Sequence, residues 1–179
     1  MGSTHYWSFG PFIEEKAYKT ALKECRKIVK ACRVPLGNAA GEGLPTLNDG
    51  VWFNGVGADG HETFALGRIP LIEYPNFCKT ARKPYDRVVT ACLCVLHEHL
   101  GKGVQVTSDG DPHEWEAGRA LASEVLGRDI KIPQIVLDQK CMYGWAAKQY
   151  RAAHPEYNYT PLFESHTNRN KEVIPEWAK

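Results

Sequence analysis

The sequence has almost no net charge and no long apolar run. Its 22 lysine and arginine residues nearly balance 21 acidic residues, for a formal net charge of +1, so the chain has no overall attraction to nucleic acid or to a membrane surface. The first ten residues lack the basic start and apolar stretch of a secretory signal, and no apolar segment approaches the roughly 20 residues that span a bilayer. We therefore expect a cytoplasmic protein without membrane or nucleic-acid partners.

The sequence also lacks a cysteine motif. No two cysteines have the Cys-x-x-Cys spacing of a zinc ribbon or a thioredoxin-like centre, and several fall where a helix interior is predicted. A free thiol there behaves as a small buried hydrophobe, so we expect no disulfides. Cys78 differs because Lys79 and Arg82 lie close to it in the sequence. We expect these cations to lower the pKa of the Cys78 thiol and make it more reactive.

A catalytic or metal-binding motif is missing as well. Cys92, Cys94, His97 and His99 are metal-ligand types, but residues two apart on a helix face different directions, so the four do not form one tetrahedral site. Ser108 lacks the Gly-x-Ser-x-Gly context of a nucleophile elbow, which makes it a weak nucleophile candidate. We assign no catalytic residue, no metal site and no cofactor from the sequence.

What the sequence does contain is the pattern of one α+β domain. A chain of 179 residues is long enough to bury one core. Helical periodicity predicts helices over residues 14–33, 84–100, 111–126 and 138–153. The helix over 84–100 is apolar nearly all round, so we expect it to be buried on most faces. Asp111 is predicted as the N-cap of the third helix and Gly127 as its stop.

Short β-like runs complete the predicted domain. They cover residues 5–12, 51–55, 61–66 and 103–107, and the middle two form a hairpin. Residues 130–137 form an edge strand or an extended connection, since Pro133 interrupts them. We predict a small mixed or antiparallel sheet packed against three to four helices within residues 1–155. Residues 156–179 form a tail that wraps the domain, contacts another copy or is disordered.

The segment over residues 77–86 concentrates positive charge. Its three cations precede Pro84, which suits the first turn of a helix. Backbone N–H groups and the helix dipole favour an anion at that end, so the cations add to a phosphate or carboxylate site. The alternative is a solvated loop without a ligand. We predict that a small anionic ligand contacts Lys79, Arg82, Lys83, Tyr85, Trp52 and Asn54, with the aromatic rings available for stacking.

Two carboxylates provide a second candidate site. Asp109 and Asp111 follow a predicted strand on a glycine-containing turn, where they could hold Mg²⁺ or act as general acid and base. Helix capping explains Asp111 without any chemistry. The pair therefore stays an alternative to the cationic segment.

Three strings of the sequence form a specific pattern over residues 48–127. They are Val-Trp-Phe-Asn-Gly with His-Glu-Thr-Phe, Phe-Cys-Lys-Thr-Ala-Arg-Lys-Pro-Tyr-Asp, and Ser-Asp-Gly-Asp with a following Trp. The pattern resembles a family of small, uncharacterised proteins encoded by bacteriophages and prophages. The resemblance implies a protein that acts in the cytoplasm of an infected bacterium, and it brings no known reaction. Some small phage proteins counter host defence by sequestering nucleotide-derived signals, which is an argument by analogy.

These observations lead to three functional hypotheses. The first is a non-catalytic binder of a small anionic, nucleotide-like ligand, which sequesters a host immune signal. The second is a metal-dependent hydrolase of such a ligand that uses Asp109 and Asp111. The third is a protein–protein inhibitor that binds a host enzyme through the aromatic tail. A homo-oligomer fits all three, because small binders often build pockets between copies.

Overall fold

The strands of this computed structural model form two small antiparallel sheets. The structure describes residues 3–70, 76–134 and 136. Its elements are β1 (Thr4–Phe9), α1 (Glu15–Ala31), β2 (Leu36–Gly37), β3 (Gly50–Gly55), β4 (Phe64–Gly67), β5 (Asn76–Lys79), α2 (Asp86–Leu100), β6 (Val104–Ser108) and α3 (Pro112–Leu126). The strand orders are β5-β1-β6 and β2-β3-β4. The predicted α+β class is confirmed. Within the described residues, no helix is long and apolar enough to cross a membrane.

Helix α2 is the centre of the core. Every residue from Val88 to Leu96 is buried, as its continuous apolar sequence predicts. Helices α1 and α3 pack against it, and β6 contacts it as well. The predicted helix over 84–100 is therefore confirmed, with its first helical residue at Asp86.

Helix α1 has the two faces that its sequence predicts. Its inner face packs against α2, while its lysines are exposed to solvent. The buried residues are Tyr18, Ala21, Leu22, Cys25, Ile28 and Val29. The helix covers Glu15–Ala31, within two residues of the predicted bounds.

Helix α3 lies very close to α2 at Gly118. A β-carbon on Gly118 would lie 2.8 Å from both the Ala91 nitrogen and the Arg87 oxygen, and it would overlap the Thr90 hydroxyl. Both predicted ends of α3 are confirmed. Asp111 is the N-cap, and Gly127 follows the helix with a left-handed φ of 67°, a conformation that glycine adopts without steric cost.

Three aromatic rings join the two sheets. Trp7 on β1 lies 5.2 Å from Phe64 on β4, and Phe64 lies 5.1 Å from Phe53 on β3, measured between ring centroids. All three rings are buried. The predicted hairpin is thus confirmed as β3 and β4, and its aromatic face packs on the inner face of β1.

The strand prediction was wrong at β5 and at the start of β4, and it also missed the two-residue strand β2. Asn76–Lys79 was assigned to loop and is β5, an edge strand that pairs antiparallel with β1. Its alternating exposure, with Cys78 buried between exposed Phe77 and Lys79, is the period of a strand, but four residues are too few to stand out in the sequence. Strand β4 begins at Phe64 rather than 61, because the Asn54 side chain holds the backbone of His61 in the hairpin loop.

The remaining predictions concern the C-terminal part of the chain. In the segment 130–137, residues 130–134 and 136 are described and form no strand, and the Val136 N–H donates to the Pro133 carbonyl. The predicted helix over 138–153, the tail over 156–179 and Cys141 lie outside the described residues. The five described cysteines are free thiols.

We expect Gly118→Ala to destabilise the protein by about 1 to 2 kcal/mol. Overpacking costs about 1 to 3 kcal/mol, which exceeds the gain of about 1 kcal/mol in helix propensity. The measurement is the free energy of unfolding in urea. Ala117→Ser, at an exposed position of the same helix, should change it by about 0.5 kcal/mol or less. A Gly118→Ala variant as stable as the parent would contradict the close helix contact.

Candidate functional site

Three segments that are distant in sequence meet at one end of the molecule. They are the basic loop (residues 80–85), the hairpin loop (residues 56–63) and the capping turn (residues 108–111). The Lys83 ammonium donates to the Ala58 carbonyl at 2.8 Å, which ties the basic loop to the hairpin loop. Arg82 forms an ion pair with Glu114, next to the capping turn. This end therefore collects most of the residues that the sequence predicts for a site.

The basic loop has an unusual backbone conformation. Ala81 and Arg82 have φ angles of 52° and 59°, in the left-handed region that residues with a β-carbon rarely adopt. The Ser3 carbonyl accepts hydrogen bonds from the Thr80 and Ala81 N–H groups at 2.9 and 3.1 Å. These contacts hold the loop in a strained conformation, and such strain concentrates at functional sites.

The three predicted cations lie in different environments. The Lys79 side chain is exposed at the end of β5, and its backbone N–H donates to the Glu62 carboxylate at 2.6 Å. Arg82 is 40% exposed and paired with Glu114. Lys83 is half-buried and directed to the hairpin loop. Lys79 and Arg82 are thus the cations that solvent reaches best.

Tyr85 and Asn54 have structural roles at this end. The Tyr85 ring is fully buried, and its hydroxyl donates to the Glu62 carbonyl at 2.7 Å, so the ring is not available for the predicted stacking. The Asn54 side chain is also buried. It accepts from the His61 N–H at 3.0 Å and donates to the His61 carbonyl at 3.1 Å. Both residues shape the loops around the site.

Trp52 lies away from the basic loop. Its indole N–H donates to the Asp49 carbonyl at 3.4 Å, towards the open end of the hairpin rather than its loop. The structure therefore does not bring Trp52 together with the predicted cations.

The protein's own carboxylates stand at both nearby helix N-termini. Asp86 occupies the first turn of α2. At α3, Asp111 accepts from the His113 N–H at 2.8 Å, and Glu114 accepts from the Asp111 N–H at 3.0 Å. At α3 the carboxylates cap the helix, whereas at α2, which has no side-chain cap, the charge of Asp86 complements the dipole. An external anion at either helix N-terminus would therefore meet a carboxylate, and such an anion stays a prediction.

The two carboxylates of the predicted pair, Asp109 and Asp111, have different environments. Asp111 caps α3. Asp109 is exposed, and its backbone N–H donates to the Thr4 carbonyl at 2.9 Å. Within the described residues, the one cluster of three metal-ligand types consists of Glu24, Glu98 and His99 and includes neither aspartate.

That cluster surrounds an arginine. The Arg128 guanidinium donates to Glu24 and to Glu98, each at 2.6 Å, and His99 lies 2.8 Å from Glu24. Burial raises the pKa of Glu24, but the hydrogen bonds from Arg128 and His99 lower it by more, so it lies below its usual value. A guanidinium thus takes the place that a metal ion would need. We interpret the cluster as an ion-pair network that joins α1, α2 and the segment after α3.

The predicted reactivity of Cys78 is wrong in direction. Its side chain is fully buried, and its thiol donates to the Glu62 carbonyl at 3.3 Å. Burial raises the pKa of the thiol from 9.0 to about 12. The Lys79 side chain points outwards because alternate residues of a strand face opposite sides, so it does not activate the thiol.

A buried hydrogen-bond chain lies beneath the basic loop. His5 Nδ1 is 2.9 Å from Ser108 Oγ, and His5 Nε2 is 2.8 Å from Asp86 Oδ1. The Thr80 hydroxyl also donates to Asp86. His5 and Ser108 are each 1% exposed, and the Trp115 ring packs edge-on against the imidazole at 5.2 Å.

The order of this chain is hydroxyl, imidazole and carboxylate. A proton on Nε2 faces Asp86, so Nδ1 accepts from the Ser108 hydroxyl; this tautomer is assigned from the hydrogen-bond partners. The positive end of the α2 dipole favours the negative charge of Asp86. The Gly110 N–H donates to Ser108 Oγ at 2.9 Å. Such a chain can remove a proton from a serine hydroxyl.

Sequence reasoning missed His5 and Asp86 as members of a site. The alternation of β1 places His5 on the inner face with Trp7, which is a readable signal. Its pairing with Ser108 is not readable, since the two residues are 103 positions apart and strand register is not a local property.

The comparisons with known proteins indicate no function, so the interpretation rests on the geometry of the site. No protein-family model matches the chain, and no match is found among curated proteins or among solved structures.

We expect Asp86→Ala to reduce the free energy of unfolding by about 3 kcal/mol. The change leaves the buried His5 N–H and the Thr80 hydroxyl without their acceptor, and hydrogen bonds to a charged group contribute about 1.5 to 3 kcal/mol each. Urea denaturation measures the effect. The control is Asp109→Ala at the exposed aspartate, which should cost about 0.5 kcal/mol or less. Equal stabilities for the two variants would show that the buried chain does not support the fold.

We expect Cys78 to make the protein less stable at alkaline pH. The folded-state pKa is about 12 against 9.0 for the free thiol, so the unfolded chain loses its proton first. The free energy of unfolding should therefore fall above about pH 9, by up to about 1.4 kcal/mol per pH unit from this group. Denaturation between pH 8 and pH 10.5 should give a shallower fall for Cys78→Ala. The same slope in both proteins would rule out a buried neutral thiol.

Proposed function

We propose that the chain binds a small anionic ligand that also carries a planar ring. The supporting observation is a row of exposed side chains on sheet β5-β1-β6. Tyr6 and Phe77 are direct cross-strand partners, 39% and 57% exposed. Lys79 lies two residues beyond Phe77 and therefore on the same face, about 7 Å further along the strand.

The exposed rings take the stacking role that the sequence assigned to Tyr85. A planar group can stack on Phe77 and Tyr6, since aromatic stacking needs an accessible ring face rather than a specific hydrogen-bond pattern. An anionic group attached to that ring then reaches the Lys79 ammonium at the end of β5. The planar ring would stack while the anionic group pairs with Lys79. Because the net charge of the protein is only +1, the attraction of an anion depends on such local cations.

Arg82 provides a second contact for the anion. Its ion pair with Glu114 lies at the surface, with the two side chains 40% and 27% exposed. Exposed pairs of this kind contribute about 0 to 1 kcal/mol, so a phosphate or carboxylate can compete with Glu114 for the guanidinium. A guanidinium binds both anions with two parallel hydrogen bonds. The strained loop backbone holds Arg82 close to the strand end where Lys79 lies.

The resemblance to small phage proteins supports a nucleotide-derived ligand. A nucleotide joins a planar base to a phosphate, which matches the two halves of the proposed surface. Binding would withdraw such a signal from its receptor in the infected cell, and this counter-defence role rests on the resemblance alone.

The charged half of the surface can be tested by native mass spectrometry. The protein is purified from bacteria and measured before and after incubation with a nucleotide extract. We expect a retained small-molecule mass that falls about 10-fold or more in occupancy when Lys79→Gln and Arg82→Gln are combined, since each charge-assisted hydrogen bond contributes about 1.5 kcal/mol or more. The control combines Lys16→Gln and Lys23→Gln, which remove two exposed charges from α1. Equal losses in both variants would mean that the basic loop has no specific role.

The aromatic half needs its own variant. Phe77→Ser removes an exposed ring without touching a charge, and the loss of one stacking contact should cost about 1 to 3 kcal/mol of binding free energy. Phe12→Ser removes a ring that is 90% exposed outside the sheet and is the matched control. A ligand that tolerates Phe77→Ser as well as Phe12→Ser would be held by charge alone, which contradicts the planar-ring part of the proposal.

A further inference from the structure

We propose that Ser108 is a nucleophile for acyl transfer, with His5 as its general base and Asp86 as the positioning residue. The basis is the hydrogen-bond chain beneath the basic loop, in which the serine, imidazole and carboxylate stand 2.9 and 2.8 Å apart. A reactive triad is recognised by such geometry and roles rather than by sequence order. This inference goes beyond binding, and its chemistry does not depend on which ring the ligand carries.

The secondary structure around Ser108 suits a nucleophile. Ser108 is the last residue of β6, and the turn after it leads directly into the N-terminus of α3. The Gly110 N–H already points at Ser108 Oγ, where it stabilises negative charge as the hydroxyl loses its proton. Asp86 is held by the Thr80 hydroxyl as well as by His5, so the imidazole cannot rotate freely.

The space in front of Ser108 is narrow and lies beside Gly110. A β-carbon placed on Gly110 would be 3.2 Å from Ser108 Oγ and 2.8 Å from a Glu114 carboxylate oxygen. Glu114 is the residue paired with Arg82 at the surface. Ser108 itself is 1% exposed, so a substrate reaches it only in a more open form, and we infer that the surface ion pair between Arg82 and Glu114 is the cover that must loosen.

The cover indicates the class of substrate. An anionic group that competes with Glu114 for Arg82 weakens the contact between the basic loop and the first turn of α3, which favours the open form in our proposal. The substrate is therefore an ester of a carboxylic acid that also carries an anionic group. A neutral ester gains nothing from Arg82 and leaves the cover in place.

The reaction balances without a cofactor. Ser108 Oγ forms a bond to the carbonyl carbon while its proton moves to His5 Nδ1. The bond between that carbon and the alcohol oxygen then breaks, and the leaving alcohol takes the proton from His5. Water attacks the acyl-serine in the same way, which releases the carboxylic acid and restores the Ser108 hydroxyl.

The test is covalent labelling of the full-length protein with a fluorophosphonate. Ser108 Oγ would attack phosphorus, the P–F bond would break, and fluoride would leave. We expect slow addition of one phosphonyl group, located at Ser108 by peptide mass mapping, and a rate about 10-fold higher in Arg82→Ala, where the cover is absent. His5→Gln should lower the rate by about 100-fold, the range of general-base catalysis.

Two further variants distinguish a loss of reactivity from a folding defect. Gly110→Ala places a methyl group in the narrow space and should slow labelling, while Ala117→Ser on the exposed side of α3 should leave it unchanged. Urea denaturation checks that each variant is folded. Absence of label from both the parent and Arg82→Ala, under conditions that label a known serine hydrolase, would overturn the proposal, as would label on Ser3 instead of Ser108. Retention of a ligand in the native mass spectrum does not depend on whether Ser108 is labelled. The binding proposal and the acyl-transfer proposal can therefore be overturned independently.

Discussion

The arrangement of the loops and strands at this end of the molecule depends on the carboxylate of Asp86. It belongs to the first turn of α2, and the residues that follow it, Val88–Leu96, are all buried, which fixes its position. From this fixed position it accepts hydrogen bonds from His5 on β1 and from Thr80 in the basic loop. A charge buried without partners would be very costly, so the three elements must come together for the carboxylate to be satisfied. The core thus determines where the surface loop lies.

Internal charge compensation determines which cations of this nearly neutral protein stay accessible near the proposed site. Carboxylates of the chain stand at the N-termini of α2 and α3, where they complement the helix dipoles. The cations that remain accessible lie on a strand end and a strained loop. Arg82 forms a surface ion pair with Glu114, and in our proposals this ion pair links the binding of an anion to access to Ser108.

The sequence could predict what depends on local order. The three described helices and the cap at Asp111 follow from periodicity and from short-range hydrogen bonds. It could not predict β5, because four residues are too few to show the period of a strand. It also could not predict that Tyr85 is buried, because an aromatic residue close to lysines is expected at the surface. The partnership of His5 with Ser108 depends on the register of two distant strands, and no local rule determines that register.

The position of β1 between β5 and β6 has a consequence for synthesis on the ribosome. The strand leaves the exit tunnel long before either partner: the residues opposite His5, Cys78 on β5 and Ser108 on β6, follow 73 and 103 positions later. At roughly 5 to 20 residues per second, β1 waits about 4 to 15 seconds for β5 and about 5 to 20 seconds for β6. An aromatic strand with unpaired edges can associate with other chains during that time, so we expect the nascent β1 to need protection until both of its partner strands have emerged.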